Sequence, residues 1–341
     1  MPDPLLTLLL GTLALAALAA VLWPGRGLLS RLRRHRSADA LRQDALKHLC
    51  TATWREQAPT LESVAGAVGI STDRAATLLE ALITDGLAEP HSDSLALTEA
   101  GEREARRIIR AHRLIEHYLA EHTGEDPLDW HHIADLREHE TTEADLERLD
   151  QALGRPRFDP HGDPIPTPSG GLPPRDHGGL HEAAVGDVLR VVHIEDEPHR
   201  AYARIIAEGL HVGAILRVLD NGPAGCRVER DGQTLELPVM VASNLSVRPV
   251  SEDVATDQPT RTLAATTLGE TVEIIDLAPT CRGLERRRLL DLGILPGTRI
   301  TAELRSPGGD PVAYRVRGTL IALRGEQAKR VHVRPLTGGT E

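Results

Sequence analysis

The sequence predicts an α+β fold, with helices concentrated in its amino-terminal half and strands in its carboxy-terminal half. Residues 39–57 space their apolar side chains as an amphipathic helix does, whereas apolar and polar residues alternate through much of 186–250, as in half-buried strands. Residues 5–23 form an uncharged, almost wholly apolar run that is long enough to cross a bilayer as one helix. A chain of 341 residues has room for several domains.

Composition excludes some classes of protein. The net charge is −11 and the isoelectric point is near 5.8, which argues against a broad basic surface for nucleic acid. The three cysteines, Cys50, Cys226 and Cys281, are dispersed and odd in number, which disfavours a disulfide framework or a zinc ribbon. The sequence has no nucleophile–base constellation, P-loop or dinucleotide fingerprint, so we expect no enzyme.

The apolar run at 5–23 predicts a membrane anchor. A cleaved signal peptide carries basic residues before its apolar run, but this chain has Asp3 there and places five arginines afterwards, between residues 26 and 36. By the positive-inside rule, the sequence predicts a single-pass protein of the cytoplasmic membrane, with its amino terminus outside and the bulk of the chain in the cytoplasm. The alternative is a buried core helix.

The region after the apolar run has the order of a winged helix-turn-helix. Residues 60–69 predict a short capped helix that ends at Gly69, and 72–82 predict a longer helix after a brief turn. Segments 87–90 and 95–98 then predict the two strands of a small wing.

The second of these helices is the candidate recognition helix. Base contact needs exposed polar side chains at its start, and phosphate contact needs Lys or Arg. The residues that we predict to contact DNA are Ser71, Thr72, Arg74 and Thr77. Because acidic residues outnumber basic ones across 41–98, an alternative stays open: the winged helix only packs, dimerises or supplies a metal ligand.

Histidines and carboxylates recur at helical spacing between residues 112 and 139. Residues three and four apart share one face of a helix, so the helical segment 131–139 can turn several ligand types the same way. The side chains on these faces are His112, Glu116, His131, Asp135, Glu138 and His139. Imidazole and carboxylate without thiolate suit a first-row divalent ion such as Mn(II), Fe(II), Co(II) or Zn(II). The alternative is that these side chains are solvated.

The order of these motifs resembles the metal-sensing core of the diphtheria-toxin-repressor and manganese-transport-regulator family. That family combines a His-x-x-x-Glu helix, an acidic-or-Cys-x-x-Glu-His helix and a C-P-H-G-x-P-I-P segment. This chain has His112 with Glu116, then Asp135 with Glu138 and His139, then D-P-H-G-D-P-I-P at 159–166. The winged region fits the same family. The resemblance implies a homodimer that forms through the helices between residues 103 and 153.

The resemblance also implies a ligand set. In that family the first helix of the winged domain lends a Met or Asp to the regulatory site, and Asp44 holds the matching position. Some manganese sensors carry a Glu three residues later; Lys47 stands here, and we hypothesise that its ammonium replaces a second ion. The implied ligands, around one or two ions of Fe(II) or Mn(II), are Asp44, His112, Glu116, His131, Asp135, Glu138 and His139. His117, His122 and His132 are expected to be solvated.

The carboxy-terminal half contains an internal repeat. Two segments of about seventy residues share the order strand, short helix ending in Gly-x-x-x-Gly, then further strands. The second copy resembles the FeoA domain, a small SH3-like β-barrel, and the first copy resembles it more loosely. In iron-type repressors the domain at the first position can lend metal ligands, and Glu197 or His199 is the nearest match; the alternative is a solvated loop.

The expected boundaries follow from these segments. They are 1–36 for the transmembrane anchor with its basic flank, 37–101 for the winged helix-turn-helix, 102–166 for the helical metal-binding and dimerisation domain, 167–179 for a Pro/Gly-rich linker, 180–250 for the first FeoA-like domain, 251–261 for a second linker and 262–337 for the second FeoA-like domain.

Two functions remain open. The first is an Fe(II)- or Mn(II)-dependent transcriptional regulator of metal homeostasis, in which metal at the junction of the winged helix and the dimerisation helices controls binding to a DNA operator. The second is a membrane-anchored metal-sensing adaptor that docks its FeoA-like domains on a ferrous or manganous transporter and does not bind DNA. The acidic winged helix and the predicted anchor favour the second, and the family architecture favours the first.

Overall fold

The computed structural model describes residues 37–91, 94–171, 177–230, 232–251 and 261–336. The predicted membrane anchor at 1–36 lies outside these ranges and stays a prediction. Among the helices within them, none combines the length and the apolar character that a bilayer crossing requires. The chain divides into two compact units, which meet in sequence at Ile108 and Ile109.

The first unit has the predicted winged-helix order. Its described elements are α1 (Ala38–Trp54), α2 (Leu61–Val68), α3 (Thr72–Thr84), β1 (Ala88–His91) and β2 (Ser94–Leu97), followed by the start of α4 (Glu99–His122). Thr60 and Ser63 form a reciprocal capping box at the start of α2, and Gly69 ends that helix in the left-handed conformation, with φ at 73°. β1 and β2 pair as an antiparallel hairpin.

The predicted recognition helix is α3. Ser71 caps it by accepting a hydrogen bond from the backbone N–H of Arg74 at 3.4 Å, and Ala75 and Leu82 lie on its buried face. The side chains predicted to contact DNA are exposed at its start: Ser71, Thr72, Arg74 and Thr77.

The second unit opens with the remainder of α4 and two further helices, α5 (Trp130–Arg137) and α6 (Glu143–Ala152), with a 3₁₀ turn at Glu138–Glu140 between them. Arg110, 3% exposed, fastens α6 to α4 through a 2.9 Å ion pair with Asp150. The segment 131–139 is therefore not one continuous helix. A 3₁₀ turn has three residues per turn instead of 3.6. The side chains of Glu138 and His139 therefore leave the helix axis at angles that differ from those the α-helical spacing predicts.

Two antiparallel sheets make up the rest of the second unit. The strands of the first β domain, residues 177–250, are β3 (Gly178–Gly179), β4 (Val188–Ile194), β5 (Ile215–Gly222), β6 (Gly225–Arg230), β7 (Gln233–Pro238) and β8 (Leu245–Pro249), with helices α7 (His199–Ala207) and α8 (Val239–Ala242). Those of the second β domain, residues 261–336, are β9 (Thr271–Leu277), β10 (Arg299–Arg305), β11 (Val312–Val316), β12 (Thr319–Leu323) and β13 (Val331–Pro335), with α9 (Gly283–Asp291) and α10 (Gly325–Ala328).

The two β domains repeat one topology. The first sheet has the order β3-β8-β4-β5-β6-β7 and the second has β12-β11-β10-β9-β13, so β4 to β8 correspond to β9 to β13. A register shift falls between β5 and β6 in the first copy and at the equivalent place, between β10 and β11, in the second. Each sheet covers its own apolar core, in which Leu216 and Ile205 of the first copy and Ile300 and Leu289 of the second are fully buried. The α+β fold that the sequence predicts is confirmed.

Candidate metal centre

The centre begins with two side chains one turn apart on α4. His112 is 5% exposed and Glu116 is 1% exposed, and the imidazole Nε2 of His112 lies 3.1 Å from Glu116 Oε1. Their i, i+4 spacing places both on the same buried face. An ionised carboxylate that is buried this deeply needs compensating charge or hydrogen bonds.

The second wall comes from α5 and the 3₁₀ turn that follows it. Glu138 is fully buried, and its Oε2 lies 2.5 Å from His112 Nδ1. Asp135 Oδ1 is 3.4 Å from the same nitrogen, and His131 Nδ1 lies 3.3 Å from His112 Nε2. The structure therefore brings together His112, Glu116, His131, Asp135 and Glu138.

The third wall comes from the first β domain, where the family resemblance implied Glu197 or His199 as a ligand and Asp196 was not predicted. The loop between β4 and α7 carries Asp196, whose Oδ2 lies 2.8 Å from His131 Nδ1. Glu197 and His199, the nearest matches by sequence, are exposed. The sequence signal for a ligand was the acidic loop itself, in which Asp196 stands directly before Glu197.

The fourth wall is the turn that contains the D-P-H-G motif. Asp159 Oδ1 accepts hydrogen bonds from the backbone N–H groups of His161 (2.9 Å) and Asp163 (2.8 Å), which closes the turn. Gly162 adopts a φ of 93°, and a Cβ there would lie 2.1 Å from the carbonyl oxygen of Val192 on β4. Glycine is therefore required at this position by conformation and by space.

This turn aims His161 at Glu116. His161 is 3% exposed, its Nδ1 lies 3.6 Å from Glu116 Oε2, and its Nε2 lies 3.1 Å from the hydroxyl of Tyr202 on α7. No ligand was predicted at Asp159 or His161, although their motif supports the family resemblance. A cysteine at the first position of the family's motif is a ligand type in its own right, and that was the available signal.

Together these walls form three overlapping groups of donors. In each group one donor atom from every residue lies within 4.8 Å of the others. The groups are His112 with His131 and Asp135; Glu116 with His131 and Asp196; and Glu116 with Asp159 and His161. Glu116 and His131 each belong to two groups, so one compact cluster results.

The charges of the cluster fit a divalent cation. Burial alone would lower the pKa of His131 and His161, but nearby carboxylates outweigh burial and raise these pKa values to about 11 and about 10. For Asp159, burial and the carboxylates of Asp163 and Glu116 raise the pKa to about 7. The carboxylates thus hold protons on neighbouring groups, and a metal ion can take the place of those protons because its ligands bind deprotonated.

Arg113 supplies part of the compensating charge. It is 8% exposed, its Nη2 donates to Asp163 Oδ1 at 3.2 Å, and its Nε lies 3.9 Å from Asp159 Oδ2. It donates to the carbonyl of Pro164 as well, so this arginine also ties the D-P-H-G turn to α4. Within the described residues, the ion-pair partners of Glu116 at 3.1 to 3.6 Å are the imidazoles of His112, His131 and His161, so its carboxylate can serve as the centre of a cation site.

The remaining predicted residues lie elsewhere. Asp44 and Lys47 are on α1, in the first unit, and their part in the site stays a prediction. His139 follows Glu138 in the 3₁₀ turn, with its Nε2 3.8 Å from Glu138 Oε1. His122 and His132 are exposed, as expected of solvated side chains, whereas His117 is partly buried and burial lowers its pKa.

We expect Asp196→Asn to weaken Mn(II) binding by roughly tenfold or more, the size of effect seen when a group that supports a metal site is removed. The amide keeps the shape but loses the negative charge that faces His131. Isothermal titration calorimetry measures the change. Glu197→Gln is the matched control, because it removes an adjacent, exposed carboxylate and should leave the affinity within about twofold. Equal affinities for the two variants would contradict the assignment of Asp196.

Comparisons with known proteins identify the parts of the chain. Residues 98–167 match the metal binding and dimerisation domain of iron-dependent repressors. Residues 179–249 and 261–335 each match the FeoA domain, which confirms the predicted pair of FeoA-like segments.

Solved structures extend this similarity. A manganese-dependent transcriptional repressor in complex with manganese is 30% identical, with a TM-score of 0.58, over 61% of this chain and 100% of that one. The manganese-activated repressor ScaR in its apo form is 27% identical, with a TM-score of 0.53, over 61% of this chain and 100% of that one.

A curated membrane protein is similar over a shorter stretch. The probable metal transport system membrane protein of Chlamydia trachomatis is 35% identical over 85 residues, which make up 25% of this chain. The match spans only 19% of that relative's length.

The family resemblance that the sequence predicts is thereby confirmed. Its members are transcriptional repressors, a class without enzymatic activity, so the prediction that the chain is not an enzyme is confirmed as well. A divalent metal cofactor is a property of this class. The chain belongs to the diphtheria-toxin-repressor and manganese-transport-regulator family of metal-dependent transcriptional repressors.

Proposed function

We propose that this protein binds Mn(II) or Fe(II) at the cluster around Glu116 and that the metal controls binding of its winged helix to a DNA operator. The observation that carries the proposal is the position of Glu116, buried and surrounded by the imidazoles of His112, His131 and His161 at 3.1 to 3.6 Å. A carboxylate surrounded by imidazoles is a donor set for a divalent first-row metal ion.

We propose two adjacent ions, with Glu116 between them. Its Oε1 faces His112 and His131, and its Oε2 faces His161. The two oxygens of one carboxylate can serve different ions. The side chains that would hold the first ion are His112, His131, Asp135 and Asp196, and those that would hold the second are Asp159 and His161. The preponderance of oxygen donors favours Mn(II) or Fe(II) over softer ions.

The metal would act by joining segments that are distant in sequence. Its proposed ligands come from α4, from α5, from the D-P-H-G turn and from the loop after β4. Binding therefore favours arrangements of the second unit in which these segments lie together, which is a shift of population. Asp44, Glu138 and His139 are carried over from the family as ligands of the regulatory site, through which the first unit would respond to metal. We also propose a homodimer, since the matched family domain is a dimerisation domain.

The DNA contact would come from α3. Its exposed polar residues include one arginine, Arg74, so each protomer offers few phosphate contacts and a dimer would be needed to bind with useful affinity. Selection of genomic fragments with and without Mn(II) or Fe(II) tests the proposal.

For a selected fragment, we expect Arg74→Ala to weaken metal-stimulated binding by roughly tenfold and to reduce its dependence on salt concentration. Arg103→Ala, at an exposed arginine of α4 that pairs with Glu99, is the control and should bind as the unchanged protein does. Fluorescence anisotropy at several salt concentrations measures both. The absence of salt-sensitive DNA binding at every metal concentration would leave the adaptor function.

The adaptor is our second candidate. Three observations favour it: the acidic composition of the winged region, the apolar run at 5–23, and the similarity over 85 residues to a probable metal transport system membrane protein. In this proposal the chain is a single-pass protein of the cytoplasmic membrane, its bulk lies in the cytoplasm, and its FeoA domains dock on a metal transporter. Co-purification of a transporter with the full chain from membranes, without metal-stimulated DNA binding, is the result expected of the adaptor.

A further inference from the structure

The two β domains present the same corner to the helical domain. In the first copy this corner is the loop between β4 and α7, which brings Asp196 to His131. In the second copy it is the loop between β9 and α9, and this corner reaches the carboxy-terminal end of α4. Both copies therefore contact the helical domain through the same corner, but with different residues. The first copy uses the carboxylate of Asp196, and the second uses Arg282 and Gly283.

The second corner fits the end of α4 through Gly283. A Cβ on Gly283 would lie 2.0 Å from the carbonyl oxygen of Thr123 and 3.5 Å from that of Ala120. Gly283 also has a φ of 57°, a conformation that other residues rarely adopt. Next to it, Leu284 Cδ1 lies 3.7 Å from the Cβ position of Gly124.

The electrostatics of this contact are complementary. α4 ends at His122, so its carboxy-terminal carbonyls carry partial negative charge, and they face the amino-terminal end of α9, which carries partial positive charge. Arg282 Nε lies 3.9 Å from Glu121 Oε1 and adds an ion pair in which the positive charge is again on the second β domain and the negative charge on α4.

A cavity of about 280 Å³ adjoins this contact, and its lining includes Gly283 together with Glu121, His122, Leu284 and Arg286. The close approach of the two backbones is therefore concentrated at Gly283, and one substitution there can separate the two surfaces.

The loop at 123–129 connects this contact to the metal centre. At its start, Thr123 and Gly124 meet the second β domain, and further on Leu128 packs against the apolar core of the first. Trp130 Nε1 donates to the carbonyl of Glu125 at 3.2 Å and fixes the exit of the loop. The next residue is His131, while Glu116 lies on α4 before the loop.

We infer that the second β domain is a positioning element for the metal centre: by holding the end of α4 at Gly283, it fixes the loop that sets His131 against Glu116. The inference rests on the proposed metal site. No atom of the second β domain is needed as a ligand, because the effect comes from ordering the site before metal arrives.

The test compares Gly283→Ala with Gly297→Ala in the full chain. Gly297 has a similar positive φ, 79°, in the same domain, but no atom lies within 4 Å of its Cβ position. Both variants share the conformational strain, and only Gly283→Ala separates the docked surfaces. We expect Gly283→Ala to bind Mn(II) roughly three- to thirtyfold more weakly than Gly297→Ala in calorimetric titration. Equal affinities for the two variants would overturn the inference, whereas a failure of the unchanged protein to bind Mn(II) would overturn the proposed function instead.

A charge variant provides a second measurement if Gly283→Ala does not fold. Arg282→Glu places two carboxylates face to face and repels the corner from α4. Its added negative charge would by itself strengthen binding of a cation, so weaker Mn(II) binding reports loss of docking. We expect Arg282→Glu to bind more weakly than the unchanged protein and the Glu121→Arg/Arg282→Glu double variant to recover affinity. Unchanged or stronger binding by Arg282→Glu, or no recovery in the double variant, would contradict the inference.

Discussion

Replacing Glu116 with glutamine should reduce Mn(II) or Fe(II) affinity by a hundredfold or more, because loss of an outer-sphere group alone already costs about ten- to a hundredfold. Glu116 is shared by two of the three donor groups, so the substitution removes an anionic donor from both. The amide has nearly the same volume, so the fold should be retained. Calorimetric titration of the metal measures the loss.

Glu102→Gln is the matched control for this change. Glu102 lies on the same helix, but its side chain is 41% exposed and pairs with Arg106, so its replacement should leave metal affinity unchanged. A second readout does not need metal. Because Glu116 helps to raise the pKa of His131 and His161, its neutralisation should lower both pKa values in the metal-free protein, which NMR titration of the imidazole protons detects. If the metal affinity of Glu116→Gln stays within about threefold of that of the unchanged protein, Glu116 is not a metal ligand.

Glu138→Ala should abolish the thermal stabilisation that metal confers. A metal present at a hundred times its dissociation constant stabilises the folded state by about 2.7 kcal/mol, which raises the melting temperature by several degrees in a domain of this size. Glu138 is a proposed ligand of the regulatory site and is also fully buried against His112, a proposed ligand of the first ion. Its loss removes an anionic donor from the regulatory site and leaves the His112 imidazole without its carboxylate partner. We therefore expect almost no metal-dependent shift in the variant.

The measurement is differential scanning calorimetry with and without Mn(II), with each variant compared with its own metal-free form. Glu140→Ala is the control, since Glu140 lies in the same 3₁₀ turn but is exposed, and its variant should keep the full shift. If Glu138→Ala keeps it too, Glu138 is not required for metal binding.

Local spacing and capping residues predicted the helices of the amino-terminal half well. The capping residues around Thr60, Gly69 and Ser71 mark the ends of α2 and α3, and these signals depend only on neighbouring residues. The i, i+4 pair of His112 and Glu116 is equally local, and so is the spacing of His131, Asp135 and Glu138, so the side chains of two walls of the metal centre could be derived from the sequence. The end of α5 could not, because an α-helix and a 3₁₀ turn place similar demands on residues 138–140.

The missed side chains share one property, which is that tertiary contacts bring them to the site. Asp196 reaches His131 only because the first β domain packs there, and no periodicity relates residues 65 positions apart. Its neighbours Glu197 and His199 were equally plausible on sequence, and a shift of one residue decides which side chain enters the cluster. Asp159 and His161 depend in the same way on a turn that Gly162 and β4 hold in place.

The clusters consist of carboxylates and imidazoles, with aspartates at the two motif positions where the family also uses cysteine, Asp135 and Asp159. Disulfide-forming reagents attack thiolates, so the side chains of the centre offer them no target. The chain's cysteines are buried outside the clusters, and burial raises the pKa of Cys281 to about 11, which keeps that thiol protonated and inert. A centre with only oxygen and nitrogen donors would have little affinity for thiophilic poisons such as mercury.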